Sequence, residues 1–265
     1  MRGENRLLGR DQLAKQRSQH RREVGAPRSV RHRAIIGIAL SYADTYRRRM
    51  LTNEHRVAVL QSIDVVTTVR PTDLRRPTPC AGWDLADLLA HMTVQHRGFA
   101  AAARGHGADR DTWRAESVID DVRRDPGRTY ADAAHDVLDA FSAEGIDDAP
   151  FTLPEFGENA VFPGAIAMGF HFVDYVVHGW DVAASLDADY ELSTDVLSAA
   201  MPLVLAIPDG DVRLLDSVPF ASAIEPVDGA GELDRILRHL GRSPDFTSRE
   251  ASSATYRGPS AAAAR

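Results

Sequence analysis

Asp174 and His178 stand four residues apart in the stretch His171-Phe-Val-Asp-Tyr-Val-Val-His178-Gly-Trp-Asp181. The long apolar run around them, residues 164–186, reads as a helix. On a helix that spacing puts both side chains on one face, one turn apart. A carboxylate and an imidazole so placed can close on one metal ion. Among valines an unpartnered carboxylate is costly, and a metal is one way to satisfy it. A buried Asp–His hydrogen bond, or two side chains on a wet edge, are the other readings. A third ligand on a facing element would separate them.

The elements that could supply it follow from apolar periodicity and its breaks. Residues 53–69 form a first amphipathic helix with Asn53 as N-cap, stopped by Pro71. A loop follows, and Asp84, with Asp87 three residues on, caps a second helix running to about residue 104. Its core stripe is Leu85, Leu88, Leu89, Met92 and Phe99, and His91 lies in its middle. Residues 105–128 read as a loop with a short helical turn, and 130–143 as a third helix. Residues 151–154 and 159–162 read as a small hairpin across Gly157. Pro163 suits the first turn of the fourth helix. Beyond it the pattern predicts a helix over 194–207, short strands at 212–215 and 224–227, and a last helix over 232–240 ending at Gly241. Four helices with connections of mixed length indicate a bundle, and bundles build metal sites from inward residues on facing helices. His91, Asp174 and His178 would make a two-histidine, one-carboxylate set with open coordination positions, their ligand atoms within about 3–4 Å of one another. By itself, His91 reads more readily as a core or edge histidine than as a ligand.

Composition sets limits. A hydrophobic fraction of 44% over 265 residues allows a proper core in one or two domains. The single cysteine, Cys80, excludes an internal disulfide and a cysteine-cluster zinc site, and fits a reducing, cytoplasmic compartment. No apolar run is long and charge-free enough to span a membrane. Residues 1–50 carry 13 basic and 4 acidic side chains, +9, while residues 51–265 carry 18 and 34, −16. The acidic body argues against nucleic acid as partner. Residues 1–49 are expected to be a disordered basic arm, with translation starting at or near Met50. The expected organisation is completed by a helical bundle over 50–190, an extension packed on it over 191–247, and a disordered tail over 248–265.

The segment Arg76-Pro-Thr-Pro-Cys-Ala-Gly-Trp-Asp-Leu-Ala-Asp-Leu-Leu-Ala-His91, taken with Asp174-Tyr-Val-Val-His178-Gly-Trp-Asp-Val-Ala183, resembles the actinobacterial DinB-like metal-binding proteins related to mycothiol-dependent maleylpyruvate isomerase. The resemblance extends over residues 50–246, including the ending Leu240-Gly-Arg-Ser-Pro244. It implies an all-α fold, a DinB-like four-helix bundle with a short mixed C-terminal extension. It also implies a divalent metal held by one histidine of the second helix and an acid-x-x-x-His pair of a later one, positions that match His91, Asp174 and His178. The isomerase has Glu at the acid position where this chain has the shorter Asp174. Zinc suits these ligands first, and nickel or iron(II) fit them too. Mycothiol is the co-substrate that the resemblance implies.

The function expected is therefore a thiol-dependent transferase or isomerase in which the metal activates the thiol toward a small electrophile. The alternative is a non-catalytic metal-binding or ligand-sequestering module. Around the site, Gln95 lies one turn after His91 and is a candidate substrate contact. His171, three residues before Asp174, is a candidate fourth ligand or substrate contact, or a partly exposed histidine. Asp181 is a candidate hydrogen-bond acceptor behind His178. His96, five residues after His91, is turned away from the metal face.

Overall fold

The computed structural model describes residues 52–214, 220–249 and 251. The expectations for the arm at 1–49, and for residues 252–265 of the tail, lie outside them. The described residues form seven helices: α1 (Thr52–Val66), α2 (Leu85–Ala103), α3 (Ile119–Arg124), α4 (Pro126–Ala140), α5 (Gly164–Ser185), α6 (Thr194–Leu205) and α7 (Glu232–His239). Two three-residue strands, β1 (Pro150–Thr152) and β2 (Val161–Pro163), pair antiparallel with Phe151 opposite Phe162. The fold is all-α, as the periodicity predicts.

Helices α1, α2, α4 and α5 make the bundle. Both α1 and α2 pack against α4 and against α5, so the two consecutive helices occupy opposite corners. Every residue of α5 except Ala165 and Asp174 is buried, as expected of a helix that is apolar all round and packed on several sides. Leu85, Leu88 and Leu89 of α2 are fully buried, each contributing about 1.5–3 kcal/mol by leaving water. The start of α2 is fixed by a capping box: Asp84 accepts from the Asp87 backbone N–H and Asp87 reaches back to that of Asp84. Beyond the bundle, α6 lies on α1 and α5, and α7 packs on α6.

Three expectations are corrected. The third long helix begins at Pro126 rather than near residue 130. Pro126 occupies its first turn, and Asp125 caps it by accepting from the Arg128 N–H, so a proline read as a loop breaker is a helix starter. The strands expected at 212–215 and 224–227 are absent from the described part of those segments. Asp211–Leu214 is a 3-10 turn, and the Ile224 N–H is spent on the Arg238 carbonyl at the end of α7, 2.8 Å away. The buried Arg213 guanidinium binds the carbonyls of Pro208, Ala221 and His239, organising this region without a sheet. Ser248, the first residue of the expected tail, is buried and its N–H donates to Asp187 at 2.9 Å.

Candidate metal centre and substrate cavity

A cavity of about 720 Å³ opens between the bundle and the C-terminal extension. Helix α2 contributes His91, Gln95 and Phe99, and α5 contributes Phe170, Val173, Asp174 and His178. The loop before α2 adds Cys80 and Trp83, the hairpin adds Glu155 and Phe156, and the extension adds Phe220, Gly241 and Arg242. The three expected ligands thus face one space from two helices. His91 and His178 meet edge to face, ring centroids 5.4 Å apart. Neither His91 nor Asp174 has a hydrogen-bond partner among the described residues.

The three are more widely spread than the sequence reading expects. Among the described residues, the one set of three ligand atoms all within 4.8 Å of one another is that of Cys80, His178 and Asp181. This compact set is already internally bonded. Asp181, completely buried, accepts through Oδ2 from His178 Nδ1 at 2.9 Å, from the Cys80 thiol at 3.4 Å and from Arg242 Nη2 at 3.4 Å. The Arg242 guanidinium also lies 5.5 Å from the centre of the Phe220 ring. A Cβ at Gly179 would collide with the Tyr190 hydroxyl, so only glycine lets Tyr190 pack against α5 there. Gly241 turns the chain with φ +75°, and a Cβ there would sit 2.7 Å from that of Ala221.

The electrostatics divide these groups by role. Burial, followed by repulsion from His178 and Arg242, lowers the His91 pKa to about 3, leaving the neutral imidazole that can ligate a metal. Burial raises the Asp174 pKa, against the pull of His178 and Arg242. For Asp181 burial opposes ionisation too, but Arg242 and the His178 hydrogen bond outweigh it and hold the carboxyl below the usual range. Burial likewise disfavours charge on His178, yet its bonds to Asp181 and Cys80 raise its pKa to about 10. With Nδ1–H donated to Asp181, Nε2 is the His178 nitrogen left for a ligand, and a cation bound there displaces the proton that the raised pKa keeps on it at neutral pH.

Sequence comparison adds to this geometry. The family described as mycothiol maleylpyruvate isomerase N-terminal domain matches residues 56–183, the span from α1 to the end of α5. Two uncharacterized proteins from two strains of Mycobacterium tuberculosis are each 32% identical over 148 residues, covering 53% of this chain and 71% of theirs. The chain belongs to the mycothiol maleylpyruvate isomerase N-terminal domain family. No solved structure matches it significantly.

In this family member the remaining candidates fall on two sides of α5. Gln95 lines the cavity, and its Nε2 donates to Glu155 Oε1. His171 is neither a cavity contact nor partly exposed. It is completely buried, its Nδ1 2.7 Å from His55 Nε2 and its Nε2 3.1 Å from His96 Nδ1. Aromatic rings enclose this histidine chain: Phe99, Phe141 and Tyr175 contact His171, and His96 stacks on Tyr175 at 3.9 Å. The turn that places His171 three residues before Asp174 carries it off the cavity face, because α5 is surrounded and every direction from it meets a packed element. Sequence reasoning missed Arg242 and Glu155. Arg242 had a signal, the Leu-Gly-Arg ending already quoted for the resemblance; Glu155, in a short hairpin with no periodicity, had none.

Proposed function

We propose that His91, Asp174 and His178 Nε2 hold one divalent cation, zinc first, and that the cavity beside it takes a small thiol and a small electrophile. The protein would then be a mycothiol-dependent transferase or isomerase of the cytoplasm. The observation that carries this reading is the pair His91 and Asp174, turned into the cavity with no hydrogen-bond partner among the described residues. Both are half-buried at the cavity wall, and they are the donor types a zinc-like ion takes. The compact set of Cys80, His178 and Asp181 fits a cation worse, because the buried Arg242 guanidinium already supplies the positive charge there.

A bound divalent ion lowers the pKa of a thiol and holds it as thiolate. The chain's own residues do the rest. Asp181 fixes the His178 ring so that Nε2 faces the cavity. Phe99, Phe156 and Phe170 keep water from the reacting groups, and Arg242 offers a fixed positive charge to an anionic part of the substrate.

The test is metal content after zinc loading and dialysis. Wild type and Cys80→Ser are expected to keep about one equivalent, and Asp174→Asn and His91→Ala to lose most of it, since either change leaves only two ligands. Retention by Asp174→Asn with loss in Cys80→Ser would transfer the site to the compact set. Thiol-transfer assays with mycothiol and a panel of electrophiles, maleylpyruvate among them, then test the chemistry.

A further inference from the structure

Away from the metal ligands the cavity wall is aromatic. Phe156, in the 3-10 turn between β1 and β2, and Phe170 of α5 both line it. Their rings stack, with centroids 4.8 Å apart and planes 25° from parallel. Phe162 of β2, buried and no part of the lining, meets Phe156 at 5.2 Å and Phe170 at 5.3 Å, edge to face in both cases. Three rings braced in this way hold the wall in one arrangement. Phe99 of α2 and Phe220 of the extension face the same space. A flat apolar group lying against these rings would cover apolar surface that otherwise meets water, and a wall already in place costs little to order.

Positive charge is scarce beside it. Among the described residues, Arg242 is the one guanidinium that lines the cavity, and it is already committed. Its Nη2 donates to Asp181 Oδ2 at 3.4 Å and its Nη1 to the Leu240 carbonyl at 3.0 Å. Two acids, Glu155 and Asp174, stand in the same wall. The cation proposed above does not change this balance, because Asp174 and a bound thiolate offset its two charges. A molecule such as maleylpyruvate carries two carboxylates, and each would leave water for a site that offers it no free cationic partner.

We propose that the electrophile of this site is an uncharged or singly charged molecule with an apolar body the size of an aromatic ring or two, lying against Phe156 and Phe170, and that dicarboxylates are excluded. This rests on the reading of the site as one that holds a cation and a thiol, and it names the second substrate's class. The cavity volume of about 720 Å³ falls within the roughly 300–1,000 Å³ of pockets that enclose such ligands. A single carboxylate, where the ligand has one, lies at Arg242. Phe156 is then a specificity-determining residue: it selects by the flat face it presents and takes no part in bond making.

The experiment measures binding rather than turnover. N-phenyl-1-naphthylamine, an uncharged probe that brightens in apolar surroundings, is titrated into the full chain with zinc and again in chelator. Saturable binding is expected in both, because the aromatic wall needs no cation. Methyl 3-phenylpropanoate, an unreactive neutral ester, should displace the probe at concentrations about tenfold below any at which maleate does. Phe156→Ser should weaken the probe more than tenfold, and Phe156→Leu, which keeps apolar volume but not the flat ring, about threefold, both with zinc content unchanged. Displacement by maleate as readily as by the ester overturns the proposal, and so does equal probe affinity in the wild type and the Phe156 variants. A wild type that binds the probe with the expected preference but keeps no zinc overturns instead the metal–thiol reading, and with it the assignment of the bound molecule as an electrophile.

Discussion

Acid should destabilise the metal-free protein through its buried histidine chain. His55 is fully buried against Phe141, Phe172 and His171, and burial lowers its pKa from 6.5 to about 3. In the unfolded chain it protonates near pH 6.5; in the folded protein it does not until far below. Its contribution is therefore present above 6.5 and lost as the pH falls toward 3. Between pH 7.5 and pH 5 that loss is about 2 kcal/mol, at 1.36 kcal/mol per pH unit below the unfolded value. His96 and His171, also lowered by burial, add in the same direction, and so does His91 when no metal is bound. His178, whose pKa is raised, gives its full contribution below 6.5 and loses it as the pH rises toward 10, so between pH 7.5 and 6.5 it opposes part of this trend, equally in the wild type and in a His55 variant. The perturbation is His55→Phe, which keeps an aromatic ring among aromatic neighbours but cannot titrate. It gives up the bond to His171 at every pH, roughly 1–3 kcal/mol for an orphaned buried nitrogen. Urea unfolding in chelator at pH 7.5 and pH 5 should then show the variant losing about 2 kcal/mol less than the wild type on acidification, worth roughly 4–8 °C in melting temperature for a chain of this size. Equal losses in the two proteins would refute the burial argument.

Other outcomes follow from single contacts. Asp181→Ala strands the buried Arg242 charge and should cost about 3–5 kcal/mol in denaturant unfolding; Arg242→Ala in the same background should cost much less than it does alone. Gly179→Ala drives a methyl into the Tyr190 hydroxyl and should destabilise by roughly 1–3 kcal/mol, with Tyr190→Phe recovering part of it. His178→Ala should lose most bound zinc and His96→Ala should keep it, because His96 lies in the histidine chain on the other side of Phe99, away from the cavity; metal analysis decides both.

Local chemistry was enough for much of this fold. Asp84 and Asp87 announce the start of α2 because a capping box is closed by residues three apart, and such a contact needs no tertiary partner. The apolar stripes of α1, α2 and α5 likewise follow from a fixed helical period, and so does the shared face of Asp174 and His178. The motif pair that pointed to the family places its two histidines, His91 and His178, in these regular elements. Where sequence reading failed, the deciding contact was distant. Ile224 is a strand former whose N–H found the end of α7. His171 lies three residues from Asp174, yet a helix packed on several sides gives each direction a different neighbour, and its neighbours proved to be His55 and His96. The 4.8 Å grouping of Cys80, His178 and Asp181 around Arg242 joins three segments across the chain. Nothing in a one-dimensional pattern carries the separation of side chains that meet only after packing. Spacing along the sequence therefore set which residues α2 and α5 could offer, and only the docking of the hairpin and the C-terminal extension onto them decided which shared a cavity.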